Sequence, residues 1–313
     1  MSGSNAPLEA RLRRILDERY HHRHPFNVRL HGGRCTKDEV RRWIRNRYYY
    51  QTRIPLKDGL ILTKSEDREF RRGWIRRIYD HDGDDARAGG LELWLRLAEA
   101  AGLERAEVAS LRNVLPGVKR ACDAYVEFVA SHDLLASVAS SLTELSAGPF
   151  LGERAEAFRK HYGWIDEAGL AYFLSRTSQA PRDAAEGLAY VLAHAKTPAD
   201  QERCTAALER KCEILWALLG GVEWGGRTPR LAPSALLRDE GAEAVVVLPE
   251  RAVRISASGR EILAACDGTR SVEAVAAALR ARHPEGESVE RDSYDFVERM
   301  EGLGVLRLEE LGK

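Results

Sequence analysis

The chain has 313 residues, of which 44% are hydrophobic and 31% charged, with a formal net charge of zero. This composition is typical of a soluble globular protein and excludes disordered, fibrous and membrane-embedded classes; we expect neither a signal peptide nor an apolar run near the roughly 20 residues of a membrane helix. Residues 1–80 hold 20 Lys/Arg against 10 Asp/Glu, whereas residues 228–313 hold 12 against 16, so the basic part could serve nucleic acid or a polyanionic small substrate.

Apolar residues recur at helical spacing from about residue 8 to 219, with little β-type alternation. Nine segments predict amphipathic helices: 8–20, 37–51, 68–82, 91–103, 118–130, 134–145, 168–180, 182–195 and 199–221. Thr36 and Glu39 form a capping-box pattern, and Thr197-Pro198 places a proline at a permitted first helical position. The pattern therefore predicts a mainly α protein built on an all-helical bundle.

The residue composition and the periodicity of apolar residues change after residue 219. The Gly- and Pro-rich stretch GGVEWGGRTPRLAP (220–233) is typical of a linker. Beyond it, AVVVLPERAVRIS (244–256) predicts two short strands about Pro249-Glu250, three short helices are predicted at 256–266, 271–283 and 293–303, and GVLRL (304–308) predicts a final strand. We expect a helical domain over 1–221, a linker over 222–232 and a small α+β module of the winged-helix type over 233–313.

Five cysteines, at positions 35, 122, 204, 212 and 266, are scattered along the chain. None forms a Cys-x-x-Cys pair, so neither a zinc knuckle nor a dithiol redox motif is indicated. We expect buried thiols in a reducing cytoplasm.

Several polar residues lie on helices whose other residues are suited to packing. Three pairs are four apart and share a helical face, Lys57 follows the Ile54-Pro55 break near a predicted helix boundary, and Glu144 and Lys211 interrupt apolar runs. Taken singly, a basic residue on a helix is more often on a solvated face, and a tyrosine more often packs with a wet hydroxyl. Glu144 is the least easily explained in this way, because a carboxylate within an apolar run needs a partner. Together they predict a polar-lined cavity; the set is Arg47/Gln51, Arg77/His81, Tyr172/Arg176, Lys57, Glu144, Lys211, Tyr20, His21 and Tyr125.

Long stretches of the helical part resemble the pyrroloquinoline quinone synthase family. They are RYYYQTRIPLKD (47–58), DHDGD (80–84), VLPGVKRACDAYVEFV (114–129), SSLTEL (140–145), HYGWI (161–165) and AYFLSRTSQAPRD (171–183). The resemblance covers about residues 10–220 and implies a haem-oxygenase-like helical fold that carries neither haem nor metal. PERAVRIS (249–256), GREILAACDGTRSV (259–272) and GVLRL resemble the partner protein PqqD, fused here to the helical domain.

The resemblance implies an oxidase that closes the last ring of a carboxylate-bearing bicycle and removes eight electrons. Dioxygen would be the acceptor, hydrogen peroxide would be released, and no cofactor would be required. Bidentate or single contacts to substrate carboxylates would come from Arg47, Lys57, Arg77 and Lys211, with Tyr20, Gln51 and Tyr125 orienting the substrate and Glu144 pairing with substrate or a neighbouring base. His21 and His81, which we expect to titrate near neutrality, would transfer protons. The resemblance also implies that His81, Tyr172 and Arg176 line the pocket that binds oxygen.

The same resemblance implies a homodimer, a cytoplasmic location, and a C-terminal domain that binds the precursor peptide and presents it to a radical enzyme. An edge strand such as 244–248 could accept that peptide by strand addition. One departure from some relatives is Leu151, where a histidine would be expected, so one polar contact is absent.

Alternative functions remain open at this point. A di-iron oxygenase on the same fold would need paired Glu-x-x-His spacings, but Glu18/His21 is the sole such spacing in the helical part. A haem oxygenase would need an axial histidine in a mostly apolar cavity. A non-catalytic scaffold for the quinone or its precursor peptide is the alternative from another class, and DNA binding lacks any recognition motif.

Overall fold

A computed structural model describes residues 6–240, 243–286 and 288–310. Within them the chain divides into two compact units, one running to Val114 and from Val118 to Leu219, the other comprising Leu115–Gly117 and the residues from Gly220 onward. The first unit is helical and the second combines strands with helices, which confirms the predicted fold class.

Twelve α-helices are described up to residue 224, together with short 3-10 helices at His21–Arg23, Ser141–Thr143 and Glu167–Leu170 and a hairpin of β1 (Gly83–Asp84) and β2 (Arg87–Ala88). The helices are α1 (Ala6–Arg19), α2 (Pro25–His31), α3 (Lys37–Thr63), α4 (Arg68–Trp74), α5 (Arg76–Asp82), α6 (Gly90–Ala100), α7 (Arg105–Ala109), α8 (Pro116–Ser131), α9 (Leu134–Ser140), α10 (Glu144–His161), α11 (Ala171–His194) and α12 (Pro198–Trp224).

The predicted helix starts follow from local hydrogen bonds. The Thr36 hydroxyl accepts from the Glu39 N–H at 3.2 Å, and the Glu39 carboxylate accepts from the Thr36 N–H at 2.7 Å, so the capping box is confirmed. At α12 the Thr197 hydroxyl accepts from the Asp200 N–H at 3.1 Å, and Pro198 occupies the first helical position.

The predicted helix boundary at Ile54-Pro55 is wrong, because α3 continues through Pro55 to Thr63. A proline inside a helix removes one hydrogen bond at a cost of about 3 kcal/mol, but α3 buries residues on both sides of Pro55, and this packing outweighs the loss. Pro149 and Pro181 lie inside α10 and α11 in the same way. Lys57 therefore sits in mid-helix, and Gln51, Ile54 and Lys57 follow one another on the buried side.

Other boundaries also differ from prediction. The segment 68–82 forms two helices that meet at Ile75, and 134–145 is interrupted by a 3-10 turn, whereas 168–180 and 182–195 join in one helix. Helices α2 and α7 and the β1–β2 hairpin were not predicted. Trp43, Trp94, Phe158 and Phe173 pack at the centre of the bundle with ring centroids 5.3–6.4 Å apart.

One described stretch, residues 134–161, is long and apolar enough to cross a membrane by length and composition, contrary to expectation. Its most apolar window is 61% buried inside the protein. Burial of that extent is what packing of a core helix produces.

The second unit contains β3 (Arg227–Leu231), β4 (Leu236–Glu240), β5 (Glu243–Leu248), β6 (Arg251–Ile255), α13 (Ala257–Ala265), α14 (Val272–Arg282), α15 (Val289–Gly302) and β7 (Leu306–Glu310). Strands β4, β5 and β6 form an antiparallel sheet in that order, with Val246 opposite both Leu237 and Val253, and β3 pairs with β7. Val246, Ile262, Val275 and Val297 belong to its buried apolar core. The strands about Pro249, the three helices and the final strand are confirmed.

The expectation that strand 244–248 is an edge strand is wrong. It is the central strand of its sheet, so both of its edges are already hydrogen-bonded and it cannot accept an added strand. The stretch 222–232, predicted as a linker, holds the end of α12 and strand β3. No local signal marks β3 in the sequence, because its partner strand β7 lies some 80 residues later.

Candidate active site

A polar cavity lies inside the helical unit, and eight of the twelve predicted site residues line it. They are Tyr20, His21, Arg47, Gln51, His81, Glu144, Tyr172 and Arg176. The remaining lining residues are Tyr50, Ile54, Trp94, Thr143, Ala147, Phe150, Leu151, Arg154 and Leu215. Helices α3, α5, α10 and α11 supply most of them, so side chains far apart in sequence converge on one chamber.

His81 is held as a neutral ring with its proton position set by the backbone. Its Nδ1 lies 3.0 Å from the carbonyl oxygen of Arg77, one turn earlier on α5. Because a carbonyl only accepts, Nδ1 carries the proton and Nε2 is left as a lone-pair acceptor. The Arg77/His81 spacing thus serves to fix the histidine tautomer.

Tyr172 and Arg176 project from successive turns of α11 beside His81. The Tyr172 hydroxyl donates to the Gln51 side-chain oxygen at 2.8 Å, and its ring meets Trp94 edge to face. Arg176 Nη2 donates to the Glu144 carboxylate at 2.8 Å. The partner expected for the Glu144 carboxylate, whose side chain is 25% exposed, is therefore Arg176, and this pair places a nearly buried guanidinium at the cavity wall.

Four predicted residues, Lys57, Arg77, Tyr125 and Lys211, are buried in the bundle but do not line this cavity. The Lys211 ammonium donates to the Tyr50 hydroxyl at 2.8 Å and lies 3.3 Å from the centre of the Tyr125 ring. Lys57 instead pairs with the adjacent Asp58 at 2.7 Å. Arg77 stacks 3.9 Å over the Trp74 ring and donates to the backbone oxygen of Asp183.

Burial and neighbouring cations set the proton affinities of these groups. Burial, reinforced by Arg47 and Arg154, places the pKa of His21 well below its ordinary value. Burial and then Arg176 lower the pKa of His81 to about 4. The expectation that both histidines titrate near neutrality is wrong for the ligand-free protein, since burial, and after it the neighbouring cations, disfavours the protonated ring.

The two buried lysines respond in opposite ways. Burial lowers the pKa of Lys211 well below its ordinary value, with Lys57 and Arg47 acting in the same direction. Burial also disfavours the charge of Lys57, but the Asp58 carboxylate outweighs it and raises the pKa of that lysine. The difference follows from the carboxylate partner beside Lys57.

Sequence reasoning missed Arg154, which lines the cavity and is 3% exposed. Its guanidinium donates to the Asn27 side-chain oxygen at 2.8 Å and lies 4.9 Å from the Trp43 ring centre. Burial and then Arg47 lower its pKa to about 9. In the sequence it stands among alternating charges and is indistinguishable from a solvated arginine.

Leu151 lines the cavity and contributes an apolar side chain to its wall. All five cysteines are buried, as predicted, and none of them forms a disulfide. Among the residues that the structure describes, no group of three or more His, Cys, Asp or Glu side chains is arranged to hold a metal ion.

Comparison with known proteins identifies both parts of the chain. Residues 9–221 match the model of the TENA/THI-4/PQQC family, and residues 243–306 match that of coenzyme PQQ synthesis protein D (PqqD). The pyrroloquinoline-quinone synthase of Rhizobium meliloti is 49% identical to this chain, over 77% of this chain and 93% of its own length. That of Ruegeria pomeroyi is 50% identical, over 71% of this chain and 92% of its own length. The bifunctional coenzyme PQQ synthesis protein C/D of Methylorubrum extorquens is 45% identical over 74% of this chain and 62% of its own.

Solved structures agree on the fold. A domain of unknown function with a heme oxygenase-like fold from Shewanella denitrificans matches with a TM-score of 0.59 at 15% identity, covering 71% of this chain and 93% of its own. A TenA homologue from P. horikoshii matches with a TM-score of 0.56 at 10% identity, covering 69% and 97%. The chain belongs to the TENA/THI-4/PQQC family and carries a C-terminal PqqD domain.

Proposed function

We propose that this family member is a pyrroloquinoline-quinone synthase that closes the last ring of the quinone. The reaction removes eight electrons from a bicyclic precursor bearing several carboxylates, with dioxygen as acceptor and release of hydrogen peroxide. The observation that carries the proposal is the buried cationic chamber, in which Arg176, Tyr172 and the Nε2 lone pair of His81 share one wall. An axial-haem pocket would be apolar instead.

Substrate binding follows from the distribution of charge. Arg47 borders the cavity with Nη1 buried and without a hydrogen-bond partner among the described residues. A substrate carboxylate would satisfy that donor, and Arg154 would add a second cation. Lys211 contacts the cavity residue Tyr50, and both Lys211 and Lys57 lie over the ring of Tyr125. From this position beside the cavity the two lysines would attract a further substrate carboxylate, and Tyr20, Gln51 and Tyr125 would orient the substrate by neutral hydrogen bonds.

Proton removal is assigned to His81 and His21, whose unprotonated rings can accept a proton without first losing one. Charge that develops on oxygen would be stabilised by Arg176 and by the Tyr172 hydroxyl. The reduced precursor supplies the electrons, so we propose that the reaction proceeds without a resident redox cofactor or metal.

The C-terminal unit is proposed to bind the precursor peptide and present it to the radical enzyme of the pathway. Support comes from its match to PqqD and from the relative whose name is bifunctional coenzyme PQQ synthesis protein C/D. Because β5 is central, strand addition would have to use β4 or β6, the outer strands of the sheet. We further propose a homodimer acting in the cytoplasm, with no nucleic-acid or membrane partner.

The test uses the full-length, metal-stripped protein and the bicyclic precursor from which the tricyclic quinone is formed, with and without air. Formation of quinone and peroxide together, dependent on oxygen and independent of added metal or flavin, is the expected result. Binding without product would favour the non-catalytic scaffold, and activity restored solely by iron would favour a di-iron oxygenase.

A further inference from the structure

A largely buried charge network outside the cavity connects Arg176 and His81, two of the three residues of the proposed oxygen pocket. Asp183 is 2% exposed and lies two turns after Arg176 on α11. Its Oδ2 lies 3.5 Å from both terminal nitrogens of Arg176, and its Oδ1 accepts from Arg182 at 2.6 Å. One carboxylate is therefore shared between a cavity guanidinium and a second arginine.

The same residue also reaches His81 through the backbone. The Asp183 carbonyl accepts from Arg77 Nη2, and the Arg77 carbonyl accepts from Nδ1 of His81. Arg182 adds a parallel connection, because its Nη2 also donates to Asp80, the residue before His81. The end of α5 that carries His81 is thus attached to α11 twice.

The network is balanced in charge. Three guanidinium groups, of Arg77, Arg176 and Arg182, face the carboxylates of Asp80, Asp183 and Glu144. Burial opposes ionisation of Asp183, but Arg77 and Arg176 outweigh it and lower the pKa of that carboxyl. Neutralising Asp183 would leave Arg176 with Glu144 as its remaining carboxylate and draw the guanidinium toward α10.

We propose that Asp183, together with Arg182 and Asp80, is the positioning device that sets Arg176 relative to His81 for the oxygen-dependent steps. The inference rests on the proposed function and deepens it: none of the three residues lines the cavity, so their role would be exerted through Arg176 and His81. The residues proposed to hold the substrate carboxylates, Arg47, Lys57, Arg154 and Lys211, lie on α3, α10 and α12. Among the described residues, no hydrogen bond joins them to Asp80, Arg182 or Asp183, so we expect their positions to change little when this network is altered.

The test compares Asp183→Asn with Glu186→Gln in the full-length protein. Glu186 lies three residues after Asp183 and pairs at the surface with Arg76, so it joins α11 to the start of α5 without contacting His81 or Arg176. We expect D183N to lower kcat by about 10- to 100-fold, the loss that small misplacement of a reacting group produces. Precursor affinity, measured anaerobically, should change by less than about threefold, and E186Q should behave as wild type.

A second readout needs no turnover. The histidine tautomer, followed by long-range ¹H–¹⁵N correlation, should be the Nδ1–H form for His81 in wild type and a mixture in D183N. If D183N destabilises the fold, Arg182→Gln, at a side chain 33% exposed, should show a smaller change in the same direction, and Asp183→Glu should recover part of the rate.

The outcomes separate the two proposals. Wild-type rate and tautomer in D183N would overturn the positioning role, as would equal losses in D183N and E186Q that follow thermal stability. A wild-type protein that forms no quinone, but whose His81 tautomer still changes in D183N, would refute the proposed function and support the positioning role.

Discussion

Replacing Lys211 with methionine is expected to stabilise the ligand-free protein and weaken substrate binding. Lys211 is 1% exposed, and its ammonium contacts the Tyr50 hydroxyl and the Tyr125 ring. No ion pair to a carboxylate is seen for it among the described residues. Methionine has a similar length, fills the same space and needs no counter-charge.

The size of the effect can be worked from these contacts. Exchanging a buried charged group for an apolar one of similar volume is often neutral or stabilising by about 1–4 kcal/mol. Loss of the hydrogen bond to Tyr50 costs about 1 kcal/mol. We therefore expect a net gain of about 1–2 kcal/mol in the free energy of unfolding. Loss of a charge-assisted contact to a substrate carboxylate, about 1.5–3 kcal/mol, corresponds to roughly 10- to 100-fold weaker binding.

The pH dependence supplies a further check. Because the pKa of Lys211 is lowered in the folded state below the ordinary 10.5, the unfolded chain binds more protons between these two values. The stability of the wild type therefore rises with pH in that window, by at most about 1.4 kcal/mol per pH unit from this group. In K211M this contribution is absent, so the excess in the free energy of unfolding of K211M over the wild type is largest at low pH and becomes smaller toward pH 10.5.

Urea unfolding followed by tryptophan fluorescence suits this comparison, since five of the six tryptophans precede residue 220. Lys196→Met, at an exposed lysine, is the matched control. Anaerobic precursor binding gives the affinity. A K211M protein that is no more stable than wild type between pH 6 and 9, and that binds with unchanged affinity, would refute this account of Lys211.

Three further predictions follow from the site and the fold. Arg176→Lys keeps the charge but not the planar fork, and we expect oxygen consumption at saturating precursor to fall by about 10²-fold while anaerobic binding persists. The pKa of His81 is about 4 in the ligand-free protein. We therefore expect kcat/KM from initial rates to show no inflection from His81 between pH 5 and 8 and to fall, through protonation of His81, only near pH 4. An inflection between pH 5 and 8 that disappears in His81→Asn would contradict this prediction. Thr36→Ala removes the cap of α3 and should lower the stability of the helical unit by about 1 kcal/mol, seen in urea unfolding, without altering the rate.

What the sequence could predict was local. The i, i+4 pairs Arg47/Gln51, Arg77/His81 and Tyr172/Arg176 were predicted to share helix faces, and all but Arg77 line one cavity. Their partners were not predictable: Glu144 meets Arg176 across 32 residues and Arg182 meets Asp80 across 102. Helical periodicity indicates which side of a helix is buried but not which helix it faces.

The errors have the same origin. Proline disfavours a helix locally and so predicts a boundary at Pro55, yet the packing of α3 overrides that preference. Strand β3 contains Pro229 and two arginines, and its pairing with β7 closes a loop of 74 residues between Leu231 and Leu306. Arg154 carries no local mark of burial, since its distinguishing contacts to Asn27 and Trp43 come from other helices.

The cations around the two histidines also determine when these can act as bases. In the ligand-free protein, burial and neighbouring guanidinium groups place the pKa of both His21 and His81 below the ordinary value. A base with so low a pKa is a weak proton acceptor at neutral pH. A substrate that brings several carboxylates against Arg47 and Arg154 would offset the positive charges that lower the pKa of His21, and the same negative charges near His81 would oppose the effect of Arg176 on that ring. We therefore expect the histidines to become effective bases once the anionic substrate is bound, so that the charge of the substrate itself prepares the site for proton removal.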